Sequence, residues 1–236
     1  MRSVLKIVKL HFIALFNWQI ISCFAVLLLN LLISVAVIRL AHTEGPAGSC
    51  DIIAMFWVLI SGLIFFSPSF RYTLSQGISR KRFFLATSLS MAIMAAVFTI
   101  LVMIFYIINL KMANVWIIYK MIYGGQVLLG LVAWEFAALL FLGVLGWFIR
   151  LVYYVSDRRT KLLVSIVPFV LVSLLILFNA LADGVIGHIM WQFLKTVMGL
   201  SYTSPNPYIG MASMLAAAVI LSGPIFLLLR RAQAKD

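Results

Sequence analysis

The sequence predicts an all-α polytopic membrane protein with six transmembrane helices, and three observations carry that prediction. The chain of 236 residues is 65% hydrophobic and 10% charged, whereas soluble domains average about 25% charged residues. Its mean hydropathy is +1.16. Long stretches also lack Asp, Glu, Lys and Arg: 10–38, 52–70, 83–110, 162–182 and 196–229, with 121–149 interrupted only by Glu135.

Each of these stretches can supply one crossing, because a helix of roughly 20 apolar residues spans the hydrocarbon core of a bilayer. The stretch 196–229 is longer than one crossing needs, and its second half supplies the crossing. Six spans in 236 residues leave room only for short connections, so we expect a single transmembrane domain over 1–236. The predicted spans lie near 19–39, 52–70, 84–108, 125–149, 162–182 and 209–229.

The distribution of positive charge predicts the orientation of the chain. If both termini are cytoplasmic, 14 of the 18 Lys and Arg residues fall on the cytoplasmic side. Short cytoplasmic connections are enriched in Lys and Arg, so we expect the N- and C-termini in the cytoplasm. The net charge of +12 then reflects these flanks and their attraction to anionic membrane lipids, and no nucleic acid is expected as a partner.

Residues 1–18 have the pattern of a helix that lies in the membrane interface. Arg2, Lys6 and Lys9 share one side of such a helix, at i, i+4 and i+7, and apolar residues cover the rest. A helix with this division binds along a membrane surface. We therefore predict an N-terminal interfacial helix before the first span; the alternative is a first span that begins early.

Two predicted cytoplasmic connections are polar and basic. The first, 71–82, contains Gly77, which can turn or break a short helix. A solvated connection enriched in positive charge would explain the same residues. The second, 150–161, is its counterpart, and both are too short to fold independently, so a partner would have to bring its own domain. The charged residues singled out in the second are Asp157, Arg158 and Arg159.

The connection 183–208 is too apolar for a free loop and too interrupted for a span. His188, Gln192 and Lys195 recur at helical spacing, opposite apolar residues. Prolines at 205 and 207 then end the helical pattern. We predict a short helix that lies on the outer face or dips into it as a partly re-entrant segment.

A few polar groups fall inside the predicted spans. Glu135 is the acidic residue nearest to a span centre, where a charge costs roughly 2.5–3.5 kcal/mol on insertion scales. It is expected to face the bundle or a dimer interface, in either a transport role or a structural hydrogen bond. Asn30 and Asn179 are expected to form hydrogen bonds between helices. The pairs Ala92–Ala96 and Ala212–Ala216 indicate close helix packing.

Several chemistries lack their motifs in this chain. No G-x-x-x-x-G-K-[ST] sequence is present, so no P-loop binds ATP here, and no H-E-x-x-H, G-x-S-x-G or Cys/His cluster occurs. The sequence therefore predicts neither an enzyme nor a metal site. Ion-coupled carriers usually show several buried ionisable groups and repeated, broken helices. Any energy source is expected to lie in another polypeptide.

The segment from Leu74 to Phe84, Leu-Ser-Gln-Gly-Ile-Ser-Arg-Lys-Arg-Phe-Phe, resembles strings found in the small permease subunits of bacterial ABC transporters of the ABC-2 (type V exporter) class. The architecture is similar along the whole chain: an interfacial helix, six spans, a basic connection after the second span and a partly re-entrant segment after the fifth. Among that family, the permeases of phenol-soluble modulin exporters have this size and lack a large outer domain.

The resemblance implies that residues 72–82 form a coupling helix seated in a cleft of a separate P-loop ATPase. It implies two ATPase copies, which bind ATP and Mg²⁺, two permease copies, identical or different, and a bacterial plasma membrane. The implied cargo is hydrophobic or amphipathic, such as a peptide or toxin. The ATPase-coupling residues would be Leu74, Ser75, Gln76, Gly77, Ile78, Ser79, Arg80, Lys81 and Arg82.

Two other functions fit the sequence. The chain could be an ion-coupled carrier that uses Glu135, which would need no ATPase. It could also be a membrane scaffold or immunity protein that sequesters a toxin without transporting it, which would tolerate changes in 71–82.

Overall fold

The computed structural model describes residues 17–41, 50–112, 117–124, 128–181, 184–200 and 205–232, and within these ranges it consists of helices and turns without strands. The described helices are α1 (Asn17–Ala41), α2 (Cys50–Ser75), α3 (Arg80–Met112), α4 (Ile118–Tyr123), α5 (Leu128–Val155), α6 (Arg158–Leu181), α7 (Val185–Val197) and α8 (Pro207–Arg231).

The all-α prediction is confirmed, and the six long helices overlap the six predicted spans. Four of them are long and apolar enough to cross a membrane: Arg80–Ile108 within α3, and α5, α6 and α8. Helices α1 and α2 contribute shorter apolar segments, Trp18–Ile33 and Cys50–Ile64. Six crossings therefore remain a prediction. The interfacial helix at 1–18 also remains one, because residues 1–16 lie outside the described residues.

Helix α5 is the centre of the bundle and packs most extensively against α2 and α8, with α3 as a further neighbour. Its inward side includes Trp134, Leu139, Trp147 and Leu151, which are almost fully buried. Most side chains of α6 are instead exposed. The bundle consists of α5 surrounded by α2, α3 and α8, with α1 packed against α2 and α3.

The contact between α2 and α5 brings two backbones together through glycine. A Cβ atom on Gly62 would lie 2.3 Å from the carbonyl oxygen of Gly143, and one on Gly146 would lie 2.4 Å from the carbonyl oxygen of Leu59. Real Cβ atoms do not approach this closely, so both helices need glycine here. Such close approach is the main source of helix association in lipid, where apolar side chains gain little by leaving the acyl chains.

Helix α6 stands apart from this bundle. Among the residues the structure describes, none of its side chains is buried, and its most extensive helix contact is with α7. Near its start, the Ser165 hydroxyl is hydrogen-bonded to the Tyr153 hydroxyl of α5. The exposed side chains of α6 are mostly apolar, Phe169 and Leu181 among them, so lipid or another polypeptide must cover them in a membrane.

Replacing Gly146 by alanine should destabilise the bundle, because the new methyl group would meet the α2 backbone. We expect a loss of about 1–3 kcal/mol, typical of overpacked cores, seen as a lower thermal unfolding temperature in detergent. Gly223→Ala is the matched control, since nothing lies within 4 Å of a Cβ atom there. Equal unfolding temperatures for the two variants would contradict the close α2–α5 contact.

Candidate functional site

The predicted coupling segment is a corner between two helices. Helix α2 continues to Ser75, and Gly77 then adopts a left-handed conformation with φ 68°. The amide of Ile78 donates to the carbonyl of Thr73 at 3.2 Å, which closes the end of α2 as left-handed glycines commonly do. The Phe83 amide donates to the Ser79 carbonyl at 3.0 Å and starts α3.

Residues 72–82 therefore comprise the last turn of α2, a tight turn and the first turn of α3. These residues do not form a helix of their own, and their role in coupling stays a prediction. Gly77 reverses the chain without strain at positive φ, and α3 begins directly at Arg80, so no length remains for a helix between the two.

The corner presents a polar surface above an apolar base. Thr73 is buried, and Leu74, Ile78 and Arg80 are half-buried. The exposed side chains are those of Tyr72, Ser75, Gln76, Ser79, Lys81 and Arg82, with Gly77 exposed between them. Lys81 and Arg82 are thus the two charges of the corner that a partner could reach.

Arg80 has a different role from its two neighbours. Its guanidinium donates a hydrogen bond to the backbone carbonyl of Arg230, in the last turn of α8. A cation at the C-terminal end of a helix satisfies a carbonyl that lacks an intrahelical donor and interacts favourably with the helix dipole. The bond therefore joins the corner to the end of α8, and Arg80 is engaged within the chain.

An aromatic cluster beneath the corner joins α2, α3 and α5. Phe66 stacks on Phe70 at 4.9 Å between ring centroids, and Tyr154 of α5 meets Phe66 edge-on at 5.1 Å. Phe83 of α3 completes the cluster, with its ring 5.3 Å from that of Phe70. Edge-to-face aromatic pairs stabilise a fixed relative orientation, so the corner and the end of α5 form one packed unit.

The second predicted cytoplasmic contact lies at the same end of the molecule. The turn after α5 is short, and the Lys161 amide donates to the Asp157 carbonyl at 2.8 Å to begin α6. Asp157, Arg158 and Arg159 are all exposed. Because Tyr154 touches Phe66, this turn is a neighbour of the corner. We call this end of the bundle, with both turns and the C-terminus of α8, the basic end.

Glu135 lies in the half of α5 farthest from the basic end, about two turns after Leu128. It is 1% exposed, and its Oε1 atom has no hydrogen-bond partner among the described residues. Asp51, in the first turn of α2, is also 1% exposed and lies near Glu135. The structure thus brings together two acids that lie 84 positions apart in the sequence.

Asp51 also holds backbone groups. Its Oδ2 atom accepts a hydrogen bond from the Ile118 amide at 2.6 Å, and its Oδ1 atom accepts one from the Ile52 amide at 3.0 Å. The first bond satisfies an unpaired donor at the start of α4. Asp51 therefore fastens α4 to α2, and Glu135 is the acid of the pair whose function the contacts leave open.

Aromatic residues of α4 surround the neighbouring turn of α5. Tyr119 and Tyr123 both lie within about 6 Å of the Trp134 ring, at 6.0 and 6.3 Å between centroids. Burial raises the pKa of Tyr123, so its hydroxyl stays protonated and donates to the Met198 carbonyl at 2.8 Å. The sequence alone did not reveal this cluster or the Asp51–Glu135 pair.

The remaining predicted residues fall on separate elements. Asn179 does join two helices, because its Oδ1 atom accepts a hydrogen bond from the Gly187 amide of α7 at 2.6 Å. Asn30 is half-buried on α1, and its predicted bond between helices stays a prediction. His188 and Gln192 are hydrogen-bonded at 2.8 Å on α7. Ala212 and Ala216 are exposed, so they do not pack against another described helix.

The predicted segment 183–208 contains α7, which extends from Val185 to Val197. A short helix in this segment is confirmed, whereas its re-entrant path stays a prediction. Across the described ranges, no group of three or more His, Cys, Asp or Glu residues could hold a metal ion. The residues that stand out chemically are therefore the exposed cations of the basic end and the buried acid pair.

Comparison with known proteins gave no match to a family model, to a curated protein or to a solved structure. The resemblance to ABC-2 permeases thus rests on the residues 74–84 and on the order of the helices.

Arg80→Gln should destabilise the fold, because the end of α8 would lose the donor that its carbonyl now has. We expect a loss of about 1 kcal/mol, typical of one hydrogen bond, measured by thermal unfolding in detergent. Arg82→Gln is the matched control, as Arg82 is exposed, and it should change stability by less than about 0.5 kcal/mol. The reverse order would contradict the internal role of Arg80.

The two buried acids should respond differently to substitution. Asp51→Ala leaves the Ile118 amide without its acceptor, and we expect a loss of about 1–3 kcal/mol. Glu135→Gln keeps the shape of a side chain whose Oε1 atom has no hydrogen-bond partner among the described residues, so its stability should equal or exceed that of the unaltered chain. Chemical unfolding in detergent measures both. A stable Asp51→Ala variant, or a Glu135→Gln variant weaker than Asp51→Ala, would contradict these roles.

Proposed function

We propose that this chain is the membrane-embedded permease subunit of an ATP-driven exporter of the ABC-2 (type V) class. Its cargo is hydrophobic or amphipathic, and a peptide or toxin fits best. Two permease copies, identical or different, work with two copies of a separate P-loop ATPase, which bind ATP and Mg²⁺. The assembly lies in a bacterial plasma membrane with both termini in the cytoplasm.

The construction of the basic end is the observation that carries this proposal. A subunit driven by a partner needs a surface that the partner can contact. That surface must also be packed firmly against the spans, so that it moves together with them. The corner offers Lys81 and Arg82 to a partner. Beneath them, the aromatic cluster joins the corner to α5, and Arg80 joins it to α8. A push on the corner would therefore move α2, α3, α5 and α8 together as a rigid body.

The charge of the basic end supports a protein partner with acidic residues at its contact surface. Lys81, Arg82, Arg158 and Arg159 are exposed on two adjacent turns, with Asp157 as the acidic residue among them. Complementary charge raises association rates and fixes register. The sequence has no nucleotide-binding motif of its own, so the partner would supply ATP hydrolysis.

The surface of α6 supports an apolar or amphipathic cargo. After its basic first turn, the helix has no charged residue up to Leu181, and its apolar side chains are exposed. An ion pathway needs coordinating polar groups, and α6 offers few. In the proposed assembly, this surface faces the second permease copy and the cargo between them.

An ion-coupled carrier is the second candidate, and the buried acid pair favours it. Glu135 is almost fully buried beside Asp51, and intramembrane acids often bind protons or ions in carriers. In that case Glu135→Gln would abolish transport while changes at the basic end would have little effect. The permease proposal expects the opposite result.

The test begins with cross-linking from the corner. A photo-cross-linker is attached to the variant Gln76→Cys in the source cells, since Gln76 is exposed at the corner. The control is Met121→Cys, because Met121 is 65% exposed at the opposite end of the bundle. A P-loop ATPase should be captured from position 76 and not from 121. That ATPase is then co-expressed with the chain and reconstituted in liposomes, where ATP hydrolysis is measured.

Lys81→Ala combined with Arg82→Ala should lower the permease-dependent ATP hydrolysis about tenfold, the effect of about 1.4 kcal/mol lost from two interfacial charges. Lys120→Ala, which also removes one exposed cation, should leave hydrolysis unchanged. Capture of no ATPase from position 76, or full hydrolysis in the double variant, would refute the proposal.

A further inference from the structure

Helix α7 divides into a polar and an apolar side. His188, Gln192 and Lys195 recur at i, i+4 and i+7 on one side. The opposite side includes Ile189, 62% exposed, and Phe193, 70% exposed. None of the residues of α7 is buried, so the bundle leaves the apolar side uncovered.

Both ends of α7 are nevertheless fixed to the protein. At the start, the Asn179 side chain of α6 accepts a hydrogen bond from the Gly187 amide. Gly184 turns the chain just before α7 in a left-handed conformation, with φ 83°. Just after the end of α7, the Met198 carbonyl accepts a hydrogen bond from the Tyr123 hydroxyl. Gly199, with φ 72°, packs closely against the chain that begins α8. The helix is thus held in place, and its exposed apolar side is a fixed feature of the fold.

The apolar side of α7 forms a shallow, open apolar surface. Ile189, Met190, Phe193 and Leu194 line it, together with Gly187 and Trp191. An exposed surface formed almost entirely by apolar atoms suits hydrocarbon chains better than a polar ligand.

The position and charge of α7 identify phospholipid as its occupant. The helix begins a few residues after α6, a candidate membrane span whose exposed apolar surface it continues. Lys195 is its only charged residue, and the Nζ atom lies 5.3 Å from the centre of the Trp191 ring. Indole rings favour the headgroup level of a bilayer, and an ammonium group complements a lipid phosphate.

We propose that α7 is an interfacial anchor that binds the phospholipid leaflet at the end of the bundle opposite the basic end. Ile189 and Phe193 insert among the acyl chains. Trp191 and Lys195 lie at the level of the phosphates, and His188 and Gln192 face water. This role does not depend on the proposed ATPase partner, because it follows from α7 and its two attachments alone.

The test compares adjacent positions on opposite sides of α7 in the full chain, reconstituted in phosphatidylcholine–phosphatidylglycerol liposomes. Phe193→Cys and Gln192→Cys each carry the environment-sensitive dye NBD. The native cysteines, Cys23 and Cys50, are buried, and the unaltered chain treated with the dye measures their background. Two readouts are taken on the same sample: quenching by spin-labelled lipid, and the rate of reduction by aqueous dithionite.

We expect dithionite to reduce the dye at 193 at least about tenfold more slowly than at 192, since one side of an interfacial helix is buried in acyl chains. Spin-labelled lipid should quench the dye at 193 and spare the dye at 192. Equal, fast reduction at both positions would overturn the proposal by showing α7 in water. Protection at 193 without quenching by lipid would also overturn it, because a second copy or a cargo would then cover the helix.

A second pair guards against a variant that fails to fold. Ile189→Cys and His188→Cys are again neighbours on opposite sides of α7, and Ile189 is not one of the residues whose hydrogen bonds attach the ends of α7. They should reproduce the difference between positions 193 and 192. If position 189 is as accessible to dithionite as position 188, the anchor role is refuted independently of Phe193.

Discussion

The rest of the structure depends on the close approach of α2 and α5 through Gly62, Gly143 and Gly146. In lipid, burying an apolar side chain against another helix yields little, because acyl chains are equally apolar. Helices therefore associate where their backbones can come close and gain dispersion contacts along their length. With α2 fixed to α5, the residues at both ends of these helices acquire fixed neighbours. The same contact positions the corner after α2 and Asp51 in the first turn of α2.

This arrangement gives the two ends of the bundle different chemistry. At the basic end, aromatic rings and the Arg80 bond hold a corner whose remaining cations are exposed. At the opposite end, both carboxylate oxygens of Asp51 accept hydrogen bonds from backbone amides. Glu135 is buried near it, with one oxygen that has no hydrogen-bond partner in the described part of the chain. The surface of α6 and α7 remains apolar and uncovered. Contact with a partner, burial of charge and contact with lipid thus fall on separate parts of one fold.

Sequence reasoning succeeded where a property depends on a single segment. It predicted the long apolar helices, the short helix within 183–208 and the bond of Asn179 between helices. It failed where two distant segments decide the outcome. Arg80 was grouped with Lys81 and Arg82, because nothing in the local sequence shows that α8 ends beside it. The alanine pair 212–216 matched a packing pattern yet is exposed, whereas the glycines that do pack lie on two different helices.

By itself, the sequence determined the helical class, the apolar segments and the concentration of positive charge in a few connections. These follow from composition and from the length of helix that a bilayer requires. Only the tertiary structure decided which cation is exposed, which acids meet and which helix stands outside the bundle. The reason is that charge burial and helix contact depend on distances between segments far apart in the chain, and periodicity within one helix carries no information about those distances.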